Sequence, residues 1–119
     1  MADEQGHQEH RLNSKGAKYI ETALGKAMPD AAFSFALILS IITALAPVLG
    51  KCFGSTRRVR KSIKTGDDTF LVANFRAANS QGLSPAESVG YALEMRTQCK
   101  DATDDDIDEF IGLCVDTNG

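Results

Sequence analysis

The sequence predicts an all-α protein built around a single transmembrane helix, preceded by an amphipathic helix and followed by a small three-helix acidic module. Three observations support this. Residues 31–50 form an uncharged run of twenty residues, long enough to cross a bilayer. The segment before it repeats its apolar residues at helical spacing, and so does the segment after it. No stretch alternates apolar and polar residues as a half-buried strand would.

Residues 1–12, MADEQGHQEHRL, show no hydrophobic periodicity and are expected to form a disordered tail. His7 and His10 stand three apart there with no further ligand types in an apolar setting, so they read as solvated residues and not as a metal site. A helix is expected over 13–29, with Asn13 or Ser14 as its N-cap. Ala17, Ile20, Ala23, Leu24, Ala27 and Met28 make one apolar stripe, while Lys15, Lys18, Glu21, Thr22 and Lys26 fall elsewhere on the wheel. The pattern suits a helix lying in a membrane interface with its lysines toward headgroups. The first helix of a bundle would show the same pattern. Pro29 and Asp30 interrupt the helix, and Asp30 can cap the next one.

Residues 31–50 read AAFSFALILSIITALAPVLG. At about 1.5 Å per residue this span measures about 30 Å, the hydrocarbon thickness. Ten of the twenty are Phe, Leu, Ile or Val, and each favours insertion by about 0.3 to 0.6 kcal/mol. That sum outweighs the mild costs of Ser34, Ser40, Thr43 and Pro47. The run lies too far from the N-terminus, and is too long, for a cleaved signal, so it is expected to be retained. The alternative is a buried core helix or oligomer-interface helix of a soluble all-α module. A chain of 119 residues has little material to surround such a helix on all sides, which favours the membrane. Ala32, Ala36, Ser40 and Ala44 fall four apart and form a stripe of small residues. Such stripes let helix backbones approach closely in lipid, so these four are assigned to a homo-oligomer interface.

Residues 51–64 are expected to form a basic juxtamembrane linker. Lys51, Arg57, Arg58, Arg60, Lys61 and Lys64 occur there with no acid among them. By the positive-inside rule this flank faces the cytoplasm, giving a single-pass topology with the C-terminus inside. The same six residues are candidates for binding the headgroups of an anionic lipid membrane. Cys52 beside them reads as a boundary-buried thiol in preference to a palmitoylation site.

Residues 65–119 read as three short helices. Thr65 and Asp68 suggest a capping box before Phe70, Leu71, Phe75 and Ala78, and Gly82 supplies the stop. Ser84, Pro85 and Glu87 form a strong helix start. In the last helix Asp104, Asp105 and Asp106 suit the positive end of the helix dipole. Ile107, Phe110, Ile111, Cys114 and Val115 then make the cleanest amphipathic stripe in the chain, and Ile107, Phe110, Ile111 and Val115 are its candidate partner-binding residues.

The net charge of −3 conceals a split. Residues 1–64 hold ten Lys/Arg against five Asp/Glu, and residues 65–119 hold three against eleven. The two halves are thus expected to meet different partners, or each other.

No enzyme is expected, because no nucleophile–base pair, carboxylate pair or metal set can be assembled. No cofactor is implied. Gly50-Lys51 lacks the upstream glycine and downstream Ser/Thr of a phosphate loop. An EF-hand begun at Asp101 would place Asp106 where glycine is required. Residues 77–93 loosely resemble a helix-turn-helix around Gly82, but Gln81 and the excess of acid argue against nucleic acid. The expected function is assembly or interaction: a self-associating component of a membrane complex, virion membrane or pore, with a possible protein partner for the acidic module. The alternative is a soluble protein-binding module or inhibitor.

Overall fold

The structure, a computed structural model, describes residues 15–30, 33–53 and 56–118, without the side chains of 49–53 and 115–118. The described residues form six helices: α1 (Lys15–Ala27), α2 (Phe35–Phe53), α3 (Thr56–Thr65), α4 (Asp68–Ser80), α5 (Pro85–Cys99) and α6 (Asp104–Asn118). The proposed tail 1–12, the N-caps Asn13 and Ser14, and Ala32 lie outside the described residues.

Local chemistry sets several of the helix ends. The Ser34 hydroxyl accepts the Leu37 amide at 3.2 Å, so α2 starts at Phe35 and not at Ala31. Asp67 caps α4, accepting the Phe70 amide at 3.0 Å and the Ser62 hydroxyl at 2.7 Å, which ties α3 to α4. Thr65, expected as that cap, closes the last turn of α3 and donates to the Lys61 carbonyl. After α4 the Leu83 amide reaches back to the Ala78 carbonyl and the Gly82 amide to Asn79, with Gly82 at φ 104°. That is a Schellman stop, and its left-handed residue favours glycine. Ser84 and Glu87 form the expected reciprocal box on α5, at 3.2 and 2.9 Å. Thr103 and Asp106 form a second such box on α6.

Five helices close a ring around one core. α5 packs on α1, α1 on α6, α6 on α2, α2 on α4, and α4 back on α5, while α3 lies against α2, α4, α5 and α6. The radius of gyration, 13.4 Å, matches the roughly 13.5 Å of a single domain of this length.

This arrangement overturns the membrane reading. Among the described residues no helix is long and apolar enough to cross a membrane. Ile38, Ile41, Ile42, Leu45 and Ala46 of α2, at most 5% exposed, pack into the shared core. α1 is not an interfacial helix. Its stripe, Ala17, Ile20, Ala23 and Leu24, is buried by the protein itself. A single-pass topology with a cytoplasmic C-terminus would put α1 and α6 on opposite faces of a bilayer, yet the two helices touch. Ile38, Ile41, Ile42, Leu45 and Ala46 find cover because neighbours enclose only their side of α2, a smaller demand than surrounding the helix completely.

The polybasic segment, expected as a juxtamembrane linker, is helical where it is described. Residues 56–65 are helical, with Val59, Ser62 and Ile63 turned into the core. α6 joins the bundle mainly through α2 and α1, not through its sequence neighbours α4 and α5.

Candidate functional site

The outward face of α2 is the most distinctive surface. Its small-residue stripe runs along the edge of the core: Ala36 is exposed, Ser40 is half-buried, and Ala44 is half-buried with one side against the core. With Leu39, Thr43 and Gln81, the last from the turn between α4 and α5, they line an open groove of about 370 Å³. The Thr43 hydroxyl donates to the Leu39 carbonyl of its own helix at 2.9 Å. No charged residue occurs between Phe33 and Gly50, whereas α1 exposes Lys15, Lys18, Glu21 and Lys26. Of the assigned oligomer residues the groove thus gathers Ala36, Ser40 and Ala44.

A second feature joins the oppositely charged halves of the chain. Lys15 of α1 lies 3.0 Å from Asp106, Arg60 of α3 lies 2.7 Å from Asp108, and Lys64 of α3 lies 2.8 Å from Asp104. The Lys15 backbone amide also donates to Glu109. Every one of these acids sits on the first two turns of α6, where the helix dipole favours negative charge. The Lys15 ammonium and the Thr103 amide pull the Asp106 carboxyl down to about 2, and Lys64 lowers Asp104. Of the six bases assigned to headgroups, Arg60 and Lys64 are therefore engaged internally. Arg57, Arg58 and Lys61 are exposed, and the Lys51 side chain lies outside the described residues.

The candidate partner-binding stripe of α6 faces inward. Ile107 and Phe110 are fully buried and Ile111 is half-buried against the core; the Val115 side chain is outside the described residues. Sequence periodicity marks such a stripe without telling an internal partner from an external one. The charge seam between α3 and α6 was not identified residue by residue. Its signal was present, since Arg60 and Lys64 are four apart and so are Asp104 and Asp108.

Cys99 and Cys114 are buried, and burial pushes both thiols up to about 12, which leaves them protonated and weakly nucleophilic at neutral pH. Burial, then the nearby Asp106 carboxylate, raises Tyr19 to about 12. Among the described residues no three His, Cys, Asp or Glu side chains converge as metal ligands; His7, His10 and the Cys52 side chain lie outside them. No protein family, characterised relative or solved structure matches this chain.

Proposed function

We propose that this chain is a helical interaction module that acts without catalysis and associates with a second copy through the outward face of α2. The observation that supports it is the charge-free, small-residue groove along Ala36, Leu39, Ser40, Thr43 and Ala44, on a helix whose other side is core. Two such faces meet across a two-fold axis without desolvating a charge, and small side chains let the backbones come close. Ser40 can hydrogen-bond across the contact. A single helix face offers less than the roughly 800 Å² per partner of a standard interface. The association is accordingly expected to be weak and concentration-dependent.

Sedimentation equilibrium of the full chain tests this. Wild type should show a monomer–dimer equilibrium, and Ser40→Arg should remain monomeric with unchanged helicity, because Ser40 is half-exposed and arginine is a good helix former. A wild type that stays monomeric at high concentration removes the reading, as does a Ser40→Arg variant that dimerises equally well.

A further inference from the structure

Four of the five positive charges of α3 form two pairs of identical spacing, and the fifth, Arg58, stands outside them. Arg60 and Lys64 face α6, where Asp108 and Asp104 receive them. The Arg60 guanidinium donates to both Asp108 oxygens at 2.7 and 2.9 Å, and the Lys64 ammonium lies 2.8 Å from Asp104. Each pair is four residues apart, and the two ladders run antiparallel in register. Arg57 and Lys61 are also four apart; they are exposed, and neither has an ion-pair partner among the described residues. At 3.6 residues per turn all four bases fall within one arc of roughly 100° on α3. α6 covers one half of that arc, and the other half is open.

We propose that Arg57 and Lys61 form a docking surface for an acidic helical segment of a partner protein, one that presents carboxylates four residues apart. Charge complementarity supports this occupant, and α6 is the protein's own instance of the ligand: the neighbouring half of the same arc already holds aspartates at that spacing. A nucleic acid fits less well. Its continuous phosphates would run over Asp104, Asp105 and Asp108 on the adjoining helix, whereas a helix with spaced carboxylates can address α3 alone. The same neighbours make α6 a partial self-inhibitor, since its acids screen the arc from any incoming acid.

The test is fluorescence anisotropy of an alanine-based helical peptide carrying glutamates four residues apart, titrated with the full chain at low salt. The glutamate peptide should bind and its glutamine analogue should not, and added salt should weaken the complex. Arg57→Gln combined with Lys61→Gln should abolish binding while circular dichroism stays unchanged, because both side chains are exposed. Asp104→Asn with Asp108→Asn should tighten binding by about three- to fivefold by uncovering Arg60 and Lys64. Ser40→Arg should have no effect, so loss of self-association leaves this result untouched. Wild type that ignores the glutamate peptide overturns the proposal, and so does binding that survives Arg57→Gln with Lys61→Gln. Tighter capture of a single-stranded oligonucleotide or of anionic vesicles would also overturn it. A dimer displaced by the peptide would overturn it too, by giving the surface to a second copy.

Discussion

Tyr91 sits in the middle of α5 with 0% of its surface exposed, and its hydroxyl meets no partner among the described residues. Burial raises its pKa well above the ordinary tyrosine value and keeps the group neutral. A buried hydroxyl without a partner costs about 1 to 3 kcal/mol of desolvation. Tyr91→Phe removes the hydroxyl and leaves the ring in place, so it is expected to stabilise the fold by about 1 kcal/mol in chemical denaturation. A clear loss of stability would show that the hydroxyl has a partner. Asn74, equally buried, is half satisfied: its amide donates to the Phe70 carbonyl at 2.9 Å and its oxygen has no partner among the described residues. At this scale capping chemistry was partly legible. Ser84, Pro85 and Gly82 act as read, because those signals lie within a few residues of one another. Asp67 was missed because its role depends on where α3 ends, and Gly66, at φ 60°, decides that by returning its amide to Ser62.

Between elements, α1 and α6 approach closely at Gly16. A Cβ placed on Gly16 would stand 2.6 Å from Leu113 Cδ1 and 2.8 Å from Phe110 Cα, and the second of these is backbone that cannot turn aside. Gly16→Val should therefore push the helices apart and cost about 1 to 3 kcal/mol, measured as a fall in denaturation midpoint at unchanged m-value. An unaltered midpoint would mean that the first turn of α1 frays at no cost. The helical stripes of α1 and α6 were visible in sequence, but the direction each one faces was not. Ile20 and Leu24 fit a bilayer interface and a protein core equally well, since both are apolar solvents for one side of a helix.

Across the whole molecule, the ion pairs from α1 and α3 to α6 couple stability to pH. Asp106 titrates near 2 in the folded chain against an ordinary value of 3.8, so its contribution is fully present above about pH 4 and is lost as pH falls toward 2. Asp104, also lowered, acts in the same direction. Denaturation at a series of pH values should show wild type more stable than Asp106→Asn above pH 4, with the gap closing as the solution is acidified. A gap that stays constant down to pH 2 would refute the linkage. High salt should narrow it at neutral pH, because exposed charges are screened.

Several properties were determined by the sequence alone because they are local. The all-helical class, the stop of α4 at Gly82, the start of α5 at Ser84 and the four-residue spacing of Ala36, Ser40 and Ala44 follow from residues a few positions apart, whereas the helical form of 56–65, expected as a linker, did not. The charge split left open whether the halves meet different partners or each other, and Lys15–Asp106, Arg60–Asp108 and Lys64–Asp104 bring them together. What only the tertiary structure decided is the environment of each apolar face. An uncharged run such as Ala31 to Gly50 satisfies a bilayer and a core by the same hydrophobic effect, and composition cannot tell them apart. The difference lies in contacts distant along the chain, with α1 closing onto α5 and α6 so that Ile38, Ile41, Ile42 and Leu45 face protein.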